Sequence, residues 1–214
     1  MQDVTKKTKR PAPAGRPFAP AFHGTSLWIG SWDTDRIYEL DPKSGVVRNE
    51  FPAPGKPFGL AAFEDGLRVV VSDNGEADDR YLYRFAADTG FDLASKAPCP
   101  DVTGSHLAAH GGELYLAQLH NRRILVLAGD VSVKREIALP SQIAGMAFRN
   151  GKLFVIAADD EFEDLRFAEL TGDPGKPQLA EIARLPSVAR CLASDGEVWW
   201  TAHREDNEIV SFTV

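Results

Sequence analysis

Cysteine and methionine are scarce in this chain of 214 residues, with two of each. Neither Cys99 nor Cys191 has a CxxC neighbour, so the sequence carries no redox or zinc motif of that kind. Long apolar runs are absent too: hydrophobic stretches are short and broken by charges and glycines, and none approaches the roughly 20 residues of a membrane span. A basic excess is lacking, since 31 acidic residues outnumber 24 basic ones for a net charge of -7, which disfavours nucleic acid and anionic membrane as partners. Helical periodicity is nowhere sustained. There is no G-x-S-x-G elbow, H-E-x-x-H helix, Walker loop, dinucleotide glycine pattern or N-x-[ST] sequon, so serine hydrolase, zincin, nucleotide and nicotinamide chemistry have no local support. The start, Met-Gln-Asp-Val-Thr-Lys-Lys, lacks the apolar core of a signal peptide. The expectation is a cytoplasmic chain, or a periplasmic or secreted one if a leader has been removed.

What the chain does have is a repeat. The stretch Arg10-Pro-Ala-Pro-Ala-Gly-Arg-Pro-Phe18-Ala-Pro-Ala-Phe22 matches Phe51-Pro-Ala-Pro-Gly-Lys-Pro-Phe58-Gly-Leu-Ala-Ala62. Five segments share one frame: Leu27-Trp-Ile-Gly-Ser, Leu67-Arg-Val-Val-Val, Leu114-Tyr-Leu-Ala-Gln, Leu153-Phe-Val-Ile-Ala and Val198-Trp-Trp-Thr-Ala. Their spacings of 40, 47, 39 and 45 residues suit four short strands per unit. A turn precedes each segment (Phe22-His-Gly-Thr, Glu64-Asp-Gly, His110-Gly-Gly, Arg149-Asn-Gly, Ser194-Asp-Gly), where glycine supplies the backbone a tight hairpin needs. Third strands follow, as in Arg36-Ile-Tyr-Glu-Leu and Arg123-Ile-Leu-Val-Leu, and outer strands mix charge with apolar residues, as in Val133-Lys-Arg-Glu-Ile.

The fold predicted is all-β: one five-bladed β-propeller over residues 1–214, with blades starting near 27, 67, 114, 153 and 198. Residues 1–26 complete the last blade and begin the first. Val4 to Arg10 is expected to pair with Glu208 to Val214 and so close the ring, because the open alternative leaves bare strand edges. Trp28, Tyr115, Phe154 and Trp199 fall at one strand position, with Arg68 in the second blade, and read as packing between blades. Cys99 and Cys191 belong to blades two apart, so a disulfide is not expected, and two free thiols fit a reducing compartment.

The segments Leu114-Tyr-Leu-Ala-Gln-Leu-His-Asn-Arg-Arg-Ile-Leu-Val-Leu127 and Leu27-Trp-Ile-Gly-Ser-Trp-Asp-Thr-Asp-Arg-Ile-Tyr-Glu-Leu-Asp-Pro-Lys-Ser-Gly45 resemble the repeat of the NHL, YncE and virginiamycin B lyase group of propellers. The acid that ends the family's strand is replaced by Ser31, Val71, Gln118, Ala157 and Ala202. The lyase resemblance implies a histidine at the start of an inner strand, which His106 supplies, and a metal-binding glutamate where Gln118 stands. The signature of the five-bladed glutaminyl cyclases is missing, with Pro17-Phe-Ala-Pro-Ala in its place.

Counting eight back from each frame residue gives Ala19, Gly59, His106, Gly145 and Arg190. Three are small, as a narrow channel demands, and two are large and polar, which marks His106 and Arg190 as candidate pocket residues. The loops after the second strands add Trp32 with Asp33, Asp73 with Asn74, His120 with Asn121, Asp159 with Asp160, and His203 with Arg204. His106, His120 and His203 could converge as a general base or a three-nitrogen metal site, while His23 and His110 fall on the opposite face. Trp32 and Phe58 are candidate stacking residues. Acids crowd the same loops, among them Asp73, Glu76, Asp78, Asp79, Asp159, Asp160, Glu161, Glu163, Asp164, Glu205 and Asp206, and read either as a solvated rim or as a place for a hard cation such as Mg or Ca, or a basic ligand.

The functional expectation is a small-molecule lyase or hydrolase acting at the channel mouth, with His106 or His203 as base and Arg190 as anion clamp. Trp32, Asp33, Asp73, His120 and Phe58 would bind the ligand. The alternative is a non-catalytic propeller that binds a small molecule or a basic peptide. Either way the chain is expected to act as a monomer, without nucleic acid or membrane.

Overall fold

The computed structural model describes residues 4–73, 79–173 and 175–214. Five antiparallel sheets of four strands each form a propeller. Blade 1 holds Pro17–His23, Ser26–Ser31, Arg36–Leu40 and Val47–Pro52 from the axis outward. Blade 2 holds Lys56–Phe63, Gly66–Ser72, Arg80–Ala86 and Gly90–Pro98. Blade 3 holds His106–His110, Glu113–Gln118, Arg123–Leu127 and Val133–Ala138. Blade 4 holds Gln142–Arg149, Lys152–Ala158, Leu165–Thr171 and Gln178–Leu185. Blade 5 holds Ala193–Ser194, Trp199–His203 and Glu208–Thr213, and takes its outer strand, Thr5–Pro11, from the N-terminal end of the chain.

Each blade buries both of its faces against its neighbours, so the core is a set of five apolar layers rather than one central cluster. Leu60 and Tyr83 of blade 2 meet Trp28 and Ile37 of blade 1 in one such layer, and Trp200 and Ile209 of blade 5 meet Leu27 and Tyr38 of blade 1 in another. The first strands touch one another around the whole circle, blade 5 against blade 1 included. Small residues make that approach possible. A Cβ on Gly59 would stand 3.0 Å from the Leu107 nitrogen, and one on Gly145 would stand 2.8 Å from the Cys191 carbonyl carbon. The far half of these strands lines a cavity of about 120 Å³ walled by Ala21, Ala61, Ala108, Ala147 and Ala193 with Leu60, Leu107, Met146 and Leu192.

Closure follows the duplicated Pro-Ala-Pro motif. Its second copy leads from the outer strand of blade 1 into blade 2; the first leads from the closing strand into blade 1. Thr5–Pro11 pairs with Glu208–Thr213 from Thr5 opposite Thr213 to Pro11 opposite Glu208. Arg10 crosses to the next blade, donating to the Pro42 carbonyl at 2.9 Å with its guanidinium 5.7 Å from the Trp200 ring centre.

The register of blade 5 corrects the expected frame by one residue. Ser194 pairs with Trp199 and Ala193 with Trp200, as Ala109 pairs with Leu114 and Ala108 with Tyr115 in blade 3. Val198 stays outside the strand because its N–H, at 2.8 Å, and that of Glu197, at 2.9 Å, are held by the Asp195 carboxylate. The partner of Trp28, Arg68, Tyr115 and Phe154 is therefore Trp200, not Trp199, and the residue ending the second strand is His203 rather than Ala202.

Removing residues 1–14 is expected to lower the melting temperature by at least about 10 °C, since each kcal/mol lost is worth about 2–4 °C in a domain of this size and the deletion bares two strand edges. Thermal unfolding followed by circular dichroism checks this; a truncated chain that melts like the full-length one contradicts it.

Candidate functional site

The proline pair that brings the chain into blades 1 and 2 sets Phe18 and Phe58 at the starts of adjacent inner strands. Trp32, the first residue beyond the second strand of blade 1, folds over them and donates its indole N–H to the Pro57 carbonyl at 2.6 Å. Ring centres of Trp32 and Phe58 are 4.5 Å apart, and those of Phe18 and Trp32 are 4.8 Å apart. Phe18 also meets the His106 ring, in blade 3, at 5.2 Å. Glycine at position 59, between them in the ring, leaves room for that contact.

Guanidinium groups cover this aromatic cluster. Arg204 lies 4.8 Å over Trp32 and Arg80 lies 3.9 Å over Phe58. Arg190 sits 4.7 Å over Phe162, with its Nε donating to the Ser187 carbonyl at 3.3 Å. Burial, and then the nearby charge of Arg204, pull the Arg190 pKa below its ordinary value, while Glu205 acts in the opposite sense. Two cations are thus held near one another beside aromatic faces on a chain of net charge -7, an arrangement that favours an anion with flat apolar parts.

His106 is fully enclosed, and burial pushes its pKa down to about 3. Its counterpart in blade 5 is not Arg190. Continuing the register of that blade puts Cys191 opposite Ala202, whose N–H donates to the Cys191 Sγ at 3.0 Å. Arg190 lies one residue earlier, in the connection from blade 4. His106 and Arg190 are linked through Arg204, Trp32 and Phe18 rather than as matched positions on the channel wall. Burial raises the Cys191 thiol to about 11, so it is inert as a nucleophile at neutral pH.

The other candidates have separate surroundings. His203 is buried, with Nδ1 3.7 Å from Asp206 Oδ2 and 4.0 Å from Glu208 Oε2; its pKa is lowered first by burial and then by Lys6. His120 is exposed on the turn after Gln118. The three histidines expected to converge do not form a common group: among the described residues, the cluster of potential ligands containing a histidine is His203, Asp206 and Glu208. Asp33 is ion-paired with Arg16. Asp73 accepts from the Tyr83 hydroxyl at 3.0 Å and is ion-paired with Lys96. Asp160 holds Arg122 and Asp164 holds Arg166, each at 2.7 Å, so much of the acidic rim is neutralised by its own neighbours. Asn74, Glu76 and Asp78 lie outside the described residues.

Among the described residues, the metal that the lyase resemblance implies finds no suitable donor set at His106. The Gln118 amide donates to the carbonyls of Pro100 at 2.6 Å and Thr103 at 3.0 Å, and its oxygen accepts from Asn121 at 3.2 Å and Arg123 at 2.6 Å. It pins the incoming chain instead of facing a cation. Phe18 and Arg80 are not among the candidates read from the sequence, whereas Arg204 is, as a loop residue beside His203; the match of Phe18 to Phe58 in the duplicated motif is the available signal for the first.

The sequence matches no family model and no curated protein. Solved structures share the fold. A glutaminyl cyclase from Myxococcus xanthus superposes with a TM-score of 0.72 at 12% identity, covering 98% of this chain and 95% of that one. The PQQ-bound aldose sugar dehydrogenase of Streptomyces coelicolor gives 0.61 at 15% identity, over 95% of this chain and 79% of its own. A catalytically inactive virginiamycin B lyase from Staphylococcus aureus with quinupristin gives 0.57 at 15%, over 96% and 83%. At these identities the likeness establishes architecture alone: the chain is a five-bladed β-propeller.

Because the folded pKa of His106, about 3, lies below its ordinary 6.5, the unfolded chain takes up a proton first as the pH falls. Its contribution to stability is complete above pH 6.5 and is lost progressively toward pH 3. Between pH 7 and pH 5 this amounts to about 2 kcal/mol, in a window above most of the range where the stabilisation from Asp41 and Glu113, both held near 2, is lost. Urea unfolding of wild type and His106→Leu at the two pH values should show a clearly shallower loss in the variant; equal slopes contradict the burial of a neutral imidazole.

Proposed function

We propose that this propeller binds a small acidic ligand at the face where Phe18, Trp32 and Phe58 meet Arg190 and Arg204. The observation that carries the reading is the approach of the Arg204 guanidinium to the Trp32 ring, with Arg190, itself over Phe162, close enough for the Arg204 charge to lower its pKa. A carboxylate or similar anion would relieve that repulsion while its flat apolar part stacks on Trp32, the residue whose ring already accepts a cation. The acids of the rim, paired as they are, give less support to a basic peptide.

Titration with a panel of aromatic carboxylates and their neutral amides, followed by tryptophan fluorescence, tests the reading. Acids should bind and amides should bind at least tenfold more weakly, and Arg204→Ala and Arg190→Ala should each lose tenfold or more, consistent with about 1.4 kcal/mol or more per charge-assisted contact. Equal affinity for acids and amides would sink it.

A second reading, a lyase or hydrolase at the same face, is supported by the neutrality of His106 and by the presence of a lyase and a cyclase among proteins of this architecture. His106 or His203 would be the base and Arg190 the clamp on an oxyanion. With its pKa near 3, a base at His106 stays unprotonated down to about pH 4, so the acid limb of a pH–rate profile would fall there rather than near 6.5. His106→Ala should then abolish turnover while leaving ligand affinity intact. A limb near 6.5, or full activity in that variant, would rule out His106 as the base.

A further inference from the structure

At the end of the second strand of blade 5, Trp199–His203, and in the turn after it, blade 5 carries a group that anion binding at the aromatic face does not use. His203, Asp206 and Glu208 each offer one ligand atom, and these atoms all lie within 4.8 Å of one another. His203 and Glu208 face each other directly across the hairpin, and Asp206 stands in the turn between them, so a single short segment sets all three. The His203 side chain is only 3% exposed, yet its Nδ1 points at two carboxylates from 3.7 and 4.0 Å. Those distances are too long for hydrogen bonds. They are close to the roughly 3–4 Å that separates neighbouring ligands around one cation whose bonds are about 2.0–2.2 Å.

We infer that His203, Asp206 and Glu208 form a binding site for a divalent transition-metal cation of the zinc class, with the remaining coordination position taken by water. One imidazole nitrogen with two carboxylate oxygens is a donor set that suits zinc better than Mg or Ca, which take oxygen ligands. The hairpin register fixes two of the ligands before any ion arrives, and a half-exposed aspartate completes the set with a small movement. Lys9 is the competitor: its Nζ lies 2.8 Å from Glu208 Oε2. That side chain is 52% exposed, and an exposed ammonium and carboxylate hold each other weakly, so the lysine can swing into solvent when the cation binds. The same competition supplies a signature, because removing the Lys9 charge should strengthen metal binding while removing a ligand should weaken it.

The full chain, stripped with a chelator and dialysed, would be titrated with Zn²⁺ in competition with a chromophoric chelator. The expected result is one equivalent bound, at least tenfold more weakly by Asp206→Asn and at least threefold more tightly by Lys9→Ala. Co²⁺ in place of zinc should show the visible absorption of a four-coordinate ion. Asp206 and Lys9 are each about half exposed, so both substitutions leave the fold intact, and His203→Gln serves as a third variant if its circular dichroism matches wild type. The inference is overturned by the absence of saturable zinc binding in wild type, by calcium binding as tightly as zinc, or by zinc affinity that survives Asp206→Asn and disappears with His110→Ala or His120→Ala.

Discussion

Everything in this molecule depends on the ladder between Thr5–Pro11 and Glu208–Thr213. A propeller blade has little core of its own; its faces are buried only because another blade stands on either side. In a ring of five, that condition holds for every blade only if the last and the first are joined. The N-terminal strand does this by becoming the outermost strand of blade 5, after which the chain turns directly into the innermost strand of blade 1. Backbone hydrogen bonds therefore lock the one interface that chain connectivity would otherwise leave loose, and they cover an edge that would invite association with other chains.

The ring's rigidity separates support from function. Apolar layers between blades hold the strands, while the connections at the starts of the inner strands and the ends of the second strands are free to carry other chemistry. Here they bring together aromatic rings from blades 1 and 2, an imidazole from blade 3 and guanidinium groups from blade 5 and its incoming connection. The result is an aromatic patch flanked by arginines on an acidic protein, with Glu205 paired to Arg204 at 3.1 Å. Placing such a patch where strands converge concentrates groups distant in sequence within one small area.

Much of the fold was legible because a repeat announces itself in local patterns: apolar strand, glycine turn, apolar strand, polar turn. That Phe58 and Trp32 meet at the mouth was legible on the same basis, since they stand where the repeat reaches it. In the sequence frame Arg190 stands at the position of His106, but the register of blade 5 gives that position to Cys191. Two adjacent tryptophans after Val198 left the strand frame of blade 5 ambiguous by one residue, and the choice turned on the Asp195 carboxylate, whose hydrogen bonds keep Val198 in the turn. A one-residue shift in a strand sends each side chain to the other face, so the error moved Trp199, Ala202 and Arg190 together.

The sequence by itself determined the all-β character, the number of blades and the closure of the ring, because these follow from the spacing of strands and turns and from a duplicated motif that marks the same junction twice. Only the tertiary structure decided which polar residues meet. It enclosed His106 against Phe18, turned Gln118 to the backbone, paired Asp33 and Asp73 with cations of their own surroundings, and set His203 against Asp206 and Glu208. The physical reason is one of range. Strand periodicity and turn chemistry act over a few neighbouring residues, whereas burial, charge pairing and ring contacts depend on which blades stand side by side and on a register accurate to a single residue.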